Sequence, residues 1–244
     1  MSADKEKSKV HKLSLKGSSK LVAEFFEYSI NSILFQRGVY PPEDFTTVKK
    51  YGLNMLVTAD DQVKAYIKKI MSQLNKWMIG GKISKLVVVI TDKETGEHVE
   101  RWQFDVRATY VQVYGKQTLT GVKVQIFSKS SKSKSSQKPT DKENSVPGES
   151  NAQSTAPVEK TEKEIQEEIQ AIFRQITASV TFLPVLDGDC TFNVLVYADA
   201  DSEVPVEWGD SDAKEIKNAE KVQLRSFSTN NHRVETLVSY RLAD

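Results

Sequence analysis

The sequence predicts an α+β domain in which three helices pack on a mainly antiparallel sheet. Three observations carry that expectation. Apolar residues recur at helical spacing in three separate stretches. Apolar or alternating stretches bounded by Gly, Asp and Asn lie between and after them. No internal repeat links the pieces, so they belong to one irregular fold rather than an array.

The elements follow in order. Residues 1 to about 16 are polar and Lys/Ser-rich and are expected to be a mobile arm, with the domain itself counted from residue 13. "SKLVAEFFEYSINSILFQR" is a first helix, with Val22, Phe25, Phe26, Ile30, Ile33 and Leu34 on its stripe and Gly38 and Pro41-Pro42 as stops. A second helix starts after Asp60, a good N-cap. Its stripe is Val63, Ile67, Ile70, Leu74 and Trp77, and Gly80-Gly81 ends it. "SKLVVVI" is a buried strand, "TDKETGE" a hairpin loop with Gly96, and "HVERWQFDV" the partner strand.

Composition breaks after Val106. "TYVQVYG…TGVKVQIF" alternates like a hairpin, and "SKSSKSKSSQKPTDKENSVPGESNAQSTAP" is almost free of large apolar residues. Such a segment buries too little surface to offset its ordering entropy, so the insert at about 108–158 is expected to be largely disordered. Deleting 128–158 should therefore leave thermal stability nearly unchanged. A melting temperature lowered by more than about 5 °C, roughly 1 kcal/mol for a domain of this size, would mean that the insert packs on the core.

"TEKEIQEEIQAIFRQITASVTFLPVL" poses the one ambiguity. Ile176, Thr177, Val180 and Thr181 favour a strand, whereas Ile165, Ile169, Ile172, Ile176, Val180 and Leu183 keep one narrow arc at about 100° per residue. Length and phase outweigh β-propensity, so the helix is expected to run to Pro184. Phe182 then falls off the apolar stripe beside Gln175 and near Arg174. It is either covered by another part of the fold or offered to a partner. "CTFNVLVYADAD" is a strand apolar on both faces, as near a sheet centre. A polar, turn-rich stretch with isolated Trp208 follows. A terminal hairpin around "TNN" then alternates Val222, Leu224, Ser226 and Val234, Thr236, Val238.

Composition narrows the function. Lys+Arg is 34 and Asp+Glu 33, a net charge of +1, which removes whole-protein attraction to nucleic acid or membrane as a leading idea. The Lys/Ser run at 129–138 could touch nucleic acid, but it lacks interleaved aromatics and fits a solvated linker better. The single cysteine, Cys190, forbids an internal disulfide and a multi-cysteine zinc site, and fits a reducing compartment. No signal-peptide core or membrane-length apolar run is present, so a soluble intracellular protein is expected. The three histidines, His11, His98 and His232, are dispersed. Gly80-Gly81-Lys82 follows a helix and precedes a strand, the reverse of a phosphate-binding loop. No nucleophile-elbow, zinc-protease or paired-carboxylate motif is found, and no cofactor or metal is expected. This profile favours a binding module over an enzyme.

"LVAEFFEYSINSILFQRGVYPPEDF", "KYGLNMLVT", "KLVVVI", "ERWQFDV", "IFRQITASVTFLPVL", "VPVEW" and "LRSFSTNNHRVETLVSY" together resemble the spindle-assembly-checkpoint branch of the HORMA-domain family. The likeness covers residues 13–240 apart from the insert, which that branch lacks. The insert is either a disordered loop of this lineage or a mis-joined exon. The resemblance implies two folds of one sequence, open and closed. In the closed form a C-terminal belt, here about Ala200–Asp244, crosses the sheet and traps a partner peptide. The peptide would add a strand beside "TFNVLVYA", with Asn193, Leu195, Tyr197, Trp208, Val222 and Leu224 as strand and belt residues. A barrier of roughly 22 kcal/mol would make one conversion take tens of minutes.

By the same resemblance, Arg174, Gln175 and Phe182 would carry open–closed self-association. The implied partners are a coiled-coil kinetochore checkpoint adaptor, the WD40 activator of the anaphase-promoting complex, which the family sequesters to delay anaphase, and an AAA+ remodelling ATPase. Neither nucleic acid nor membrane is implied. The implied places are nucleus, kinetochore and cytoplasm. The alternative is the related HORMA adaptor of a translesion polymerase and DNA-repair complex, which "RQITASVTF" matches less well.

Overall fold

The computed structural model describes residues 15–108, 122–127 and 160–242. The expected arm at 1–12 and most of the insert lie outside the described residues. Helix α1 spans Leu15–Gln36, four residues ahead of its expected start. Its predicted stripe, Val22, Phe25, Phe26, Ile30, Ile33 and Leu34, is fully buried, and so are Ser18, Ser19 and Ser29 within the same arc. Lys16, Lys20 and Glu27 are exposed on the side away from the stripe, and α1 contacts both other helices.

Helix α2, Asp61–Ile79, begins as expected: the Asp60 carboxylate accepts from the Val63 amide at 2.8 Å. It ends in a Schellman turn, with Lys82 N–H donating to the Trp77 carbonyl at 2.9 Å and Gly81 at φ +66°. The paired glycines are thus a helix cap. Helix α3, Glu162–Ala178, opens with a reciprocal capping box between Thr161 and Glu164, a signal legible in "TEKE".

The ambiguous stretch is helical, but it does not run as α-helix to Pro184. After Ala178 it tightens into a 3₁₀ turn, Ser179–Thr181. Three residues per turn replace 3.6, so the phase slips. Val180, expected on the apolar stripe, is exposed, and Ser179 is buried in its stead.

Between α1 and α2 lies a hairpin that the periodicity did not reveal: β1 (Phe45–Lys50) against β2 (Leu53–Thr58). Its two-residue turn is Tyr51-Gly52, with φ +51° and +69°. Gly52 is confined, since an added Cβ would lie 2.9 Å from the Gln170 amide. The strained Tyr51 is held by stacking on Phe173, centroids 5.7 Å apart, and by donating to the Glu24 carboxylate at 2.8 Å.

The main sheet contains β3 (Ile83–Asp92), β4 (His98–Ala108), β5 (Val122–Phe127), β6 (Cys190–Asp199), β7 (Trp208–Asp210), β8 (Glu220–Gln223), β9 (Phe227–Ser228) and β10 (His232–Tyr240). Its order is β7-β5-β6-β3-β4-β10-β8, with β9 also on β10 and every pairing antiparallel. The helices cover one face. Phe25 sits at the centre of that core, its ring 4.8 Å from Phe227, 5.4 Å from Phe173 and 5.8 Å from Phe104. The opposite face carries a small separate cluster of Val87, Val89 and Leu195, with Tyr197 against it. The C-terminal chain crosses beside this cluster.

Candidate strand-capture site

Strand β6 is the scaffold of the site. Side chains alternate along it, so Phe192, Val194 and Val196 join the helix-side core. Leu195 and Tyr197 face the other side, and Asn193 shares their face by the same alternation. One edge of β6 pairs with β3. The other carries β5, in the register Val122↔Asp199, Val124↔Tyr197 and Ile126↔Leu195. The described part of "TGVKVQIF", Val122–Phe127, is therefore extended, as expected, although its partners are β6 and β7. The other half of the expected hairpin, "TYVQVYG", lies outside the described residues.

The chain then encloses β5. After β6 it turns through residues 200–207 and returns as β7 on the outer edge of β5, with Gln125↔Asp210, Ile126↔Gly209 and Phe127↔Trp208. Trp208, isolated in the sequence, is buried. Its ring lies 5.0 Å from Trp77, whose indole N–H donates to the Glu203 carbonyl at 3.0 Å. From β7 the chain passes to the opposite edge of the sheet across the face bearing Tyr197. Arg101, buried on that face, fastens the crossing. Its Nε donates to the Ala213 carbonyl at 3.1 Å, its Nη1 to the Gln103 amide oxygen at 2.6 Å and its Nη2 to the Tyr197 hydroxyl at 3.2 Å. An arginine fork can hold three acceptors in fixed directions, which a lysine cannot.

Beyond the crossing, β8 and β10 anchor the segment on the far side of β4. Nine register positions join β10 to β4, from His232↔Ala108 to Tyr240↔Glu100. Val222 pairs with Val238, and Leu224 is buried in the helix-side core with its amide donating to the Thr236 carbonyl at 2.9 Å. The structure thus brings Leu195, Tyr197 and Trp208 to the enclosed strand. Val222 and Leu224 stand at the other edge of the sheet and serve as anchors, not as part of the groove. Alternation alone could not separate these roles, because it assigns a face and leaves the edge open.

Helix α3 clamps the same C-terminal segment. The Gln175 side-chain oxygen accepts from the Arg225 amide at 2.6 Å, and the Glu168 carboxylate accepts from the Ser228 amide at 2.9 Å. Gln175 is therefore engaged within the chain. Arg174 is exposed and donates to Gln170 at 3.2 Å. Phe182 is 39% exposed, and its neighbours along the chain Val180 and Val185 are 47% and 84% exposed. Of the two readings of Phe182, the structure favours the uncovered one.

Two buried polar groups hold the frame. His232 begins β10, where its Nδ1 meets the Ser18 hydroxyl at 2.6 Å and its amide donates to the Thr229 hydroxyl at 2.9 Å. Burial holds its imidazole below the usual histidine range, favouring the neutral ring. His98 has a partner too, the Thr91 hydroxyl at 3.0 Å. Sequence reading missed the second group entirely: Arg37 and Glu100, with side chains 5% and 1% exposed, pair at 2.6 Å. Burial pushes the Glu100 carboxyl up, opposed by Arg37 and by the Trp102 indole N–H at 3.1 Å.

A family model described as "HORMA domain" matches residues 18–232. The chain belongs to the HORMA-domain family. This HORMA domain is 52% identical to the mitotic spindle checkpoint component mad2 of Schizosaccharomyces pombe, over 94% of both chains. It is 41% identical to the human mitotic spindle assembly checkpoint protein MAD2A, over 94% of this chain and 93% of that protein. Among solved structures, a chain of the mitotic checkpoint complex matches with a TM-score of 0.70 and 48% identity, covering 93% of this HORMA domain and 99% of that chain. The C. elegans protein HTP-1, solved bound to the HTP-3 motif-1, matches at TM-score 0.63 and 15% identity, a likeness of fold alone.

Proposed function

We propose that the chain is an adaptor of the spindle assembly checkpoint that captures a peptide as a strand beside β6 and locks it under its C-terminal belt. The observation that carries this reading is the enclosure of a strand between β6 and β7 by a segment fastened across the sheet through Arg101. Backbone pairing supplies affinity without regard to sequence, and pockets at alternate positions supply selectivity. Enclosure lengthens the bound lifetime, since release requires the belt to open. The checkpoint relatives, matched over 94% of the chain, favour this branch over the translesion-polymerase adaptor.

The partners that the reading implies are a coiled-coil kinetochore adaptor, the WD40 activator of the anaphase-promoting complex, a second copy of the chain, and an AAA+ ATPase that reopens the belt. They would be met at the kinetochore, in the nucleus and in the cytoplasm. The role is non-catalytic, that of a scaffold which sequesters its partner. Because β5 fills the edge, the test uses a version with residues 109–158 shortened to a Gly-Ser linker. Fission-yeast cells lacking their own relative and supplied with it should delay anaphase under a microtubule poison. Cells that divide on schedule at normal protein level would overturn the reading.

The surface of Arg174 and Phe182 is the proposed self-association face, resting on an exposed cation and on the exposed apolar side chains of Val180, Phe182 and Val185. Gln175→Ala would also free the Arg225 amide, so the informative double variant is Arg174→Glu with Phe182→Ala. It should weaken self-association at least tenfold in sedimentation while leaving peptide capture intact. An undiminished dimer at equal concentration would remove this assignment.

A further inference from the structure

We propose that residues 122–127 are an internal ligand, a strand of the chain's own insert that occupies the capture site and holds the belt closed against external peptides. This rests on reading the β6 edge as the capture site. The observation is topological. Strand β5 is paired on both edges: five register positions, Val122 to Ile126, tie it to β6, and three, Gln125 to Phe127, tie it to β7. In sequence it stands between β4 and α3, yet in space it lies beyond β6, at the position where a captured peptide would be expected. The belt is the C-terminal segment, so it can be laid over β5 last, and the enclosure needs no threading of a closed loop.

The segment "VKVQIF" suits the role. It is six residues long, free of Pro and Gly, and mixes β-branched and aromatic residues with Lys123 and Gln125. Its tether also matters. Thirteen residues separate Ala108 from Val122, so docking is intramolecular, with an effective concentration on the order of millimolar for a tether of that length. With a micromolar intrinsic constant for the internal strand, an external peptide would then bind roughly a thousandfold more weakly until that strand leaves. The insert thereby becomes an autoinhibitory element, and a factor that displaces it would license capture.

The experiment pairs hydrogen exchange on the full chain with capture of a labelled synthetic peptide, "LTGVKVQIFSKS", residues 119–130. The amides of 122–127 should exchange at least a hundredfold more slowly than in the free peptide. A chain with 122–127 replaced by alternating Gly and Ser should capture the peptide at least tenfold more tightly than the natural chain. Gln125→Pro with Ile126→Pro is the second variant: neighbouring amides point to opposite edges, so it removes donors toward both β6 and β7. Unprotected amides, or equal capture by the natural chain and either folded variant, would overturn the internal ligand. Protection found only in a dimer would overturn the intrachain assignment in favour of exchange between copies. Protected amides with no capture by either variant would instead overturn external peptide capture while the internal ligand stands.

Discussion

Truncation before Lys221 is expected to unfold the domain, not merely to open its belt. The sequence alone suggests a milder outcome, in which the three helices and central hairpin stay folded and only slow peptide release is lost, because their apolar stripes lie upstream. The structure places Leu224, Phe227, Val234 and Val238 in the helix-side core, with Phe227 against Phe25. Burying four such side chains contributes about 6–12 kcal/mol, comparable to the whole stability of about 5–15 kcal/mol expected of a domain. Nine register positions on β4 would lose their partner as well. Circular dichroism on heating is the measurement. A truncated chain that melts cooperatively within about 5 °C of the full one would show that the core does not need β10.

The second large effect is expected at Arg37 and Glu100. Arg37→Met leaves a carboxylate buried with only the Trp102 indole as donor, and removing one partner of a buried pair costs about 3–5 kcal/mol. The loss reaches beyond the pair, since Arg37 Nη2 also donates to the Pro184 carbonyl and so ties α1 to the chain after α3. Arg37→Met with Glu100→Leu should recover most of the stability, because no charge is then left buried.

The sign of the pH dependence follows from the raised Glu100 carboxyl. A buried acid with a folded value above its unfolded one binds protons more readily when folded. Stability of Arg37→Met should therefore rise as pH falls toward the ordinary carboxylate range near 4.5, levelling off below it. Denaturant melts of the single and double variants at pH 7 and pH 5 decide the matter. A penalty for Arg37→Met that is the same at both values would mean that Glu100 is not left charged in its absence.

The sequence by itself determined the three helices, their stripes, the Asp60 and Gly80-Gly81 caps, the β3–β4 hairpin and β6. Each of these is specified by a local period or a local turn, which physical chemistry reads without knowing the neighbours. It also determined the family, through long stretches such as "RQITASVTFLP" whose likeness does not depend on where they sit. Where local signals were poor, so was the reading. The β1–β2 hairpin escaped because Tyr51 adopts a left-handed turn that few tyrosines do, held there by Phe173 and Glu24. The end of α3 was misphased because the switch from 3.6 to three residues per turn leaves no mark in composition.

Only the tertiary structure decided which strands meet. That Val222 and Leu224 anchor the belt on the β10 side, that Arg101 fastens its crossing, that Arg37 finds Glu100, and that β5 fills the edge of β6 are all matters of long-range register. A strand's period fixes its two faces but says nothing of its two edges, and every strand exposes the same backbone donors and acceptors. Partner choice at an edge is settled by what else is tethered nearby and by which segment can be closed over it, and both are properties of the folded chain.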